Sequence, residues 1–572
     1  MISRLWQVAQ PRARSASGSK ALRINGWLIA AVCIAALVAV PLVAILAAAP
    51  VGGMAALAGL SQTVLGRYIG NTMLLMGLTG ALAMVIGTGC AWLVTACEFP
   101  GRRVLALALV LPLAVPSYIA AYLYADILDF SGPVQSALRG LTGWGVNDYT
   151  FPAIRSLPGG ALILALVLYP YVYLLARAAF ATQSIGQFRA ARSLGAAPAR
   201  AFWSVALPAA RPAIAGGLAL VCMEALADFG VAEYFAIPTF STGIFRSWLA
   251  MGDKNAAMGL AALMLVFVAV LVSIEAATRR GRSDSRDGLS GERSSPTSGE
   301  PLVALSPLGK ALAFIACALP VALGFAIPAA HLATLAVEDT AIRAASSLWT
   351  YAGASLWLGL AVALTCCGIA IILAFAKARA KTGTAIPMTR RLTGGFIRLA
   401  TLGYALPGAL LAVGLLAPLG WLDQGLTGFA RDRLGYGGGL ILTGTSLILI
   451  YALSVRFLTV AYNSLDGGMA RIPPSLDAAA RSLGAGPSRV LSRIYLPLLR
   501  PSLLAALALV LIDTLRELPA TLILRPFNLE TLATRTYRLA SDERLVEASI
   551  PALILLAVGL IPVLLLTRSN TR

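Results

Sequence analysis

The feature that most constrains this chain is a succession of long apolar runs separated by short basic segments. A helix needs roughly 20 apolar residues to cross the hydrocarbon of a bilayer. In lipid the backbone must pair its own polar groups, which leaves helices and closed barrels as the only spanning structures. Runs that are continuous over such lengths, instead of alternating, select helices. Charged residues are 12% of the chain, against about a quarter in a soluble domain. No soluble core could hide the 58% of residues that are hydrophobic. The length rule gives about twelve spans. In the first half they are 27–49, 70–97, 104–128, 159–181, 207–236 and 256–277. In the second they are 308–330, 350–376, 396–419, 437–461, 498–524 and 546–567. Pro112, Pro116, Pro170 and Pro407 are accepted within these runs, because neighbouring helices can re-satisfy a freed carbonyl. The expected fold is an all-α polytopic membrane protein.

The net charge of +20 does not signal nucleic acid, because the basic residues lie in clusters between apolar runs and not on one polar face. With the N-terminus in the cytoplasm, roughly 30 of the 45 lysines and arginines fall on that side, as the positive-inside rule requires. The C-terminus is then cytoplasmic too. The acidic loops around Asp126, Glu338-Asp339, Asp423 and Asp542-Glu543 face outward. Residues 1–26 read as a cytoplasmic tail. The run from Trp27 to Ala49 exceeds a signal-peptide core of about 7–15 residues, so it is read as a retained span. Residues 281–306, rich in Ser, Gly and charge, read as a flexible cytoplasmic linker between halves 27–280 and 307–572, six spans each. Most of the seven cysteines sit in apolar runs without a CxxC pair, and His331 is the single histidine. Neither a disulfide frame nor a tightly bound metal is expected.

An internal repeat at an offset of 289 residues joins the halves. Arg192-Ser193-Leu194-Gly195-Ala196 recurs as Arg481-Ser482-Leu483-Gly484-Ala485. Pro198 and Arg200 recur as Pro487 and Arg489, Leu207-Pro208 as Leu496-Pro497, and Arg211-Pro212 as Arg500-Pro501. With the same orientation in each half, this is a parallel repeat about an axis along the membrane normal. Alanines Ala190-Ala191 and Ala478-Ala479-Ala480 favour a short helix. Gly195 and Gly484 permit a sharp turn, and Pro198 and Pro487 suit the first turn of a second helix. Pro208 and Pro497 are expected to open the next span. The result is a helical elbow on the cytoplasmic face, once per half.

These elbows resemble the signature loop of ABC importer permeases: E-A-A, three residues, G, nine residues, I-x-L-P. The copies read R-A-A-R-S-L-G with V-A-L-P over 189–208, and A-A-A-R-S-L-G with I-Y-L-P over 478–497. The glutamate position is Arg189 in one copy and Ala478 in the other. The segments 224–253 and 517–543 are similar to the fused permeases of ferric-iron importers, and the resemblance covers essentially the whole chain. It implies that the elbows dock two copies of a cytoplasmic ATPase. It also implies a periplasmic binding protein as donor, a bacterial inner membrane, and iron(III) as cargo, with thiamine, phosphonate or another small solute as alternatives. The chain has no GxxxxGK[ST] phosphate loop, so it is read as a permease and not an enzyme, with ATP and Mg held by the partner.

Four acids in apolar runs stand out. Glu224 and Asp228 are four residues apart, as are their repeat equivalents Asp513 and Glu517, a spacing that places each pair on one helix face. A carboxylate at membrane depth costs at least roughly 2.5 kcal/mol. These acids are therefore candidates for the lining of a translocation path, where hard cations prefer oxygen donors. The opposing reading pairs them with Arg516 or backbone groups at a helix end. Tyr118, Tyr122, Tyr124, Tyr169, Tyr171 and Tyr173 are expected in the interfacial aromatic belt. A secondary transporter would share the span count but has no use for matched elbows. A lipid-modifying enzyme would need a catalytic constellation that the sequence does not offer.

Overall fold

The computed structural model describes residues 26–145, 147–181, 185–287, 303–338, 346–382, 387–435 and 439–569. The expected tail, apart from Gly26, and most of the expected linker lie outside the described residues. The first half comprises α1 (Gly26–Ser61), α2 (Leu65–Ala96), α3 (Arg102–Ala108), α4 (Ser117–Leu128), α5 (Leu157–Ala179), α6 (Ile185–Ser193), α7 (Pro198–Ala227), α8 (Gly230–Tyr234), α9 (Phe240–Phe245) and α10 (Lys254–Asp287). The second comprises α11 (Pro307–Glu338), α12 (Ser346–Thr382), α13 (Pro387–Ala400), α14 (Gly408–Leu434), α15 (Ser446–Met469) and α16 (Pro474–Ser482). It continues with α17 (Pro487–Leu498), α18 (Arg500–Arg516), α19 (Pro519–Leu524), α20 (Leu532–Ser541) and α21 (Leu545–Ser569). Among the described residues, nine helices are long and apolar enough to cross a membrane, and two bent pairs qualify together. α21 carries a shorter apolar stretch, Leu545–Ile561. The chain is a multi-pass membrane protein.

Five expected spans are corrected. The run 104–128 is broken before Pro116, where the chain turns by 94° between Arg102–Ala114 and Ser117–Thr142. The run 396–419 is likewise split into α13 and α14 before Pro407. Both breaks have one cause: a proline drives the residue ahead of it out of the helical region, and Val115 and Leu406 have ψ of 119° and 122°. The runs 207–236 and 498–524 end early, because Asp228 and Glu517 cap α7 and α18 with extended ψ of 130° and 126°. Span 437–461 is also shifted, beginning at Ser446 and running to Met469. Pro170, by contrast, stays inside α5. The helix α10 continues to Asp287, into the expected linker. The chain re-emerges at Val303, whose N–H donates to the Ala96 carbonyl at 3.0 Å, fixing the start of the second half against the end of α2.

Each half receives its first helix from the other. α1 buries Ala31, Ala35, Val38 and Ile45 in one core with Cys366, Leu410 and Leu453 of the second half. α11 buries Ala313, Cys317 and Leu332 with Cys90, Val94 and Tyr169 of the first. Small residues allow this close approach, as helix pairs in membranes require. A Cβ added at Gly414 would lie 2.8 Å from the Pro41 carbonyl oxygen, and one at Gly324 would lie 2.7 Å from that of Leu166. Tyrosines then tie the exchanged helices. Tyr451 donates to the Leu37 carbonyl, and Tyr124 donates to the Leu323 carbonyl. At one end of the interface His331 meets Asp126 at 2.6 Å. The tyrosine expectation is corrected here: Tyr118, Tyr122, Tyr124, Tyr169 and Tyr173 are buried in the bundle and not in a lipid-facing belt.

Candidate translocation cavity and elbows

Both elbows fold as their residues dictate. α6 and α16 end in Gly195 and Gly484, at φ +87° and +78°, a left-handed conformation that glycine adopts without a Cβ penalty. The Ala196 N–H bonds the Ala191 carbonyl and the Ala485 N–H bonds the Ala480 carbonyl, both at 3.0 Å, the six-to-one closure of a Schellman cap. Pro198 and Pro487 then occupy the first turn of α7 and α17. Among the other elbow residues, Arg189 and Ala190 are exposed, and Ala480 is buried against the second-half core. Ala479 accepts a hydrogen bond from the Leu483 N–H, while the side chain of Ala478 lies outside the described set. Pro208 and Pro497 do not open the next span. α7 runs through Pro208 after a widened π turn at Phe202–Ala206, and in the second copy the break comes after Leu498, with a bend of 74°. Leu207 and Leu496 directly follow the π turns. The caps leave Leu194 and Leu483 pointing away from the protein, 88% and 87% exposed. The first elbow is joined to the body by Trp92, whose ring meets Phe180, Phe188 and Phe202 at 5.3, 5.1 and 4.7 Å.

The four candidate acids all line one cavity of about 380 Å³ between the halves. They divide into two kinds. Asp228 and Glu517 are not on a helix face as expected, because each caps its helix and turns to hold the next one. Asp228 accepts from the N–H groups of Val231 and Ala232 at 3.1 and 3.2 Å, and from the Ser117 hydroxyl at 2.9 Å. Glu517 accepts from the N–H groups of Ala520 and Thr521, both at 3.0 Å, and from the Thr521 hydroxyl at 2.9 Å. The first N–H groups of a helix have no partner within it, and a carboxylate there also suits the helix dipole. The longer Glu517 further pairs with Arg456 at 3.0 Å. Gly408 makes room for that pair, since a Cβ there would lie 2.5 Å from Glu517 Oε1 and 2.7 Å from Arg456 Nη1.

Glu224 and Asp513 differ. Both line the cavity, and neither has a hydrogen bond or ion pair with a described residue. Asp513 lies in the field of the Arg516 guanidinium as well as of Glu224, and the phenols of Tyr171 and Tyr404 share that field. Among the described residues, no group of three His, Cys, Asp or Glu side chains could hold a metal ion.

Sequence reasoning passed over Arg456, Ser117, Tyr118 and Tyr404 as cavity residues, and Gly408 as the residue that makes room for the Arg456–Glu517 pair. Arg456 carried a usable signal, as a lone arginine inside an apolar run is itself a mark of function. Ser117 and Gly408 each follow a span-breaking proline, but their bonding depends on contacts no spacing reveals.

Residues 382–572 match the family of the binding-protein-dependent transport system inner membrane component. Over 508 residues, 88% of this chain and 90% of the relative, the sequence is 24% identical to the Fe(3+)-transport system permease protein FbpB 2 of Haemophilus influenzae. The chain is similar to permease proteins of binding-protein-dependent transport systems. Shorter matches fall in the same class. The putative 2-aminoethylphosphonate permease PhnV of Salmonella typhimurium is 31% identical over 135 residues, 24% of this chain and 51% of that protein. The molybdenum permease ModB of Escherichia coli is 31% identical over 156 residues, 27% and 64% of the two chains. The alignment with the iron permease spans both halves, whereas those with PhnV and ModB cover about a quarter of this permease-like chain.

Proposed function

We propose that this chain is the membrane-spanning subunit of a bacterial inner-membrane ABC importer, built as twelve spans with both termini in the cytoplasm. It receives its solute from a periplasmic binding protein. Two copies of a cytoplasmic ATPase dock on the elbows at α6 and α16. The single observation that carries this reading is the pair of matched elbows, each capped by a left-handed glycine and each presenting a bare leucine. An exposed large apolar side chain at equivalent points of a repeat suits a protein partner. ATP-driven closure of the two ATPases would draw the elbows together and shift the halves between inward- and outward-open states.

The cargo is iron(III). Near full-length similarity to an iron(III) permease supports this, as do the unpaired carboxylates Glu224 and Asp513 in the cavity. The experiment is ATP-driven uptake of radiolabelled iron(III) into proteoliposomes holding the chain, its ATPase and its binding protein. Glu224→Gln with Asp513→Asn is expected to assemble normally and to lose most uptake. Unchanged uptake by that variant removes the two acids from the path. Uptake that survives ATP depletion removes the importer reading.

A further inference from the structure

The cavity between the halves has an end nearer the elbows, and chain direction tells which residues lie there. α5 and α15 run toward the elbows, and the last of their cavity residues are Tyr171 and Val460. α7 and α18 run away from them, so Glu224 is met before Ala227 and Asp228, and Asp513 before Arg516. Leu113 and Tyr404, which also line the cavity, each stand three residues ahead of a span-breaking proline, in matching 3-10 turns. Val460 holds the repeat position of Tyr171 at the offset of 289 residues. The elbow end is therefore lined by two equivalent pairs, Tyr171 with Tyr404 and Leu113 with Val460, each drawing one residue from each half.

Tyr171 and Tyr404 are half-buried and hydrogen-bond to each other through their phenols, within the field of Glu224 and Asp513. The tyrosines that tie the exchanged helices, Tyr124 and Tyr451, reach backbone carbonyls instead. A bond between two side chains on a cavity wall is a different device. The phenols satisfy one another while the space between them is closed, and each can turn to water once they part. Such a contact has two discrete arrangements, as a moving interface needs. Apolar constrictions close a path by excluding water, which suits Leu113 and Val460 at the equivalent position. We propose that the Tyr171–Tyr404 bond is the latch of an inner gate. It holds the elbow end of the cavity closed, and it parts when the halves separate there to release solute. The inference deepens the importer reading and rests on it for direction, since it takes the elbow side as cytoplasmic.

The test uses the full chain with its ATPase in sealed proteoliposomes, carrying Ala227→Cys on the cavity wall one turn beyond Glu224. A membrane-impermeant maleimide is applied from the elbow side or from the opposite side, without ATP, and modification at residue 227 is followed by mass spectrometry. Tyr171→Phe and Tyr404→Phe keep both rings and remove the bond. Each is expected to quicken labelling from the elbow side about fivefold, the population shift that one neutral hydrogen bond carries. Labelling from the opposite side is expected to stay the same. The double variant should match either single one, because the same bond is lost only once. An unchanged rate overturns the latch, and so does faster labelling from both sides, which general loosening would give. A second measurement bridges Tyr171→Cys and Tyr404→Cys with a bifunctional methanethiosulfonate, each thiolate displacing one methanesulfinate. The bridge is expected to stop ATP-driven uptake of radiolabelled iron(III) supplied on the binding protein, and a thiol reductant to restore it. Undiminished uptake across the bridge overturns the latch. No ATP-driven uptake by the unaltered complex removes the importer reading instead, and the labelling, which needs neither ATP nor solute, still decides the latch.

Discussion

Replacing Gly408 by alanine probes how closely the two halves are matched around their helix-capping acids. The added Cβ would lie 2.5 Å from Glu517 Oε1, 2.7 Å from Arg456 Nη1 and 3.1 Å from the Ala520 nitrogen. The first two are far inside contact distance, and Glu517 is only 5% exposed, so the ion pair must open. Breaking one side of a buried pair costs about 3–5 kcal/mol, and loss of the amide bonds that start α19 adds about 1 kcal/mol. Thermal unfolding of the purified protein should show a fall for Gly408→Ala close to that for Glu517→Gln. The first half suggests the cure. There a shorter acid, Asp228, is satisfied by Ser117, and the residue matching Arg456 is Val167. Converting Gly408→Ser, Arg456→Val and Glu517→Asp together rebuilds that arrangement and should recover most of the loss, since a buried pair exchanged for well-packed groups is often neutral. If Gly408→Ala unfolds like the parent while Glu517→Gln does not, the steric argument is wrong.

Other outcomes are equally open to measurement. Leu194→Asp with Leu483→Asp should shift folding stability by no more than about 0.5 kcal/mol, as exposed substitutions do, yet abolish co-purification of the ATPase; retained binding would move the docking surface elsewhere. Gly195→Ala with Gly484→Ala should each cost about 1–2 kcal/mol through positive φ alone, because no atom lies within 4 Å of either new Cβ. Unfolding in denaturant would reveal it, and no change would mean the caps relax. Trp92→Ala removes one ring from a four-ring cluster and should cost about 3–5 kcal/mol. Protease cutting within 185–193 should quicken, and an unchanged digestion pattern would show that Trp92 does not hold the first elbow.

Much of the fold was legible because it follows from local rules. Apolar length located the helices, and the repeat located Gly195, Gly484, Pro198 and Pro487, whose backbone demands hold wherever the segment packs. Helix ends at Asp228 and Glu517 were misread because both residues continue an apolar, helix-like pattern. Their carboxylates leave it to satisfy amides of the next helix, a tertiary competition that outweighs local preference. At Pro116 and Pro407 two rules compete: the residue before proline disfavours helix, while a membrane bundle tolerates proline within a span, and here the first prevails. The burial of Tyr122, Tyr169 and Tyr173 was invisible for another reason. Which side of a span meets protein and which meets lipid depends on neighbours from other helices, as Tyr234 packs on Tyr122 and the Ala106 carbonyl takes the Tyr173 hydroxyl.

The crossed placement of α1 and α11 bears on how the protein is made. As the chain leaves the ribosome, the bundle containing α2 and α5 is missing one wall until α11 has been synthesised. The wall of the later bundle, α1, has meanwhile been waiting from the start. The earlier bundle therefore cannot close until the second half has begun to be made, so the connecting segment need only keep the halves near each other, and two separately produced halves should still find one another in the same membrane.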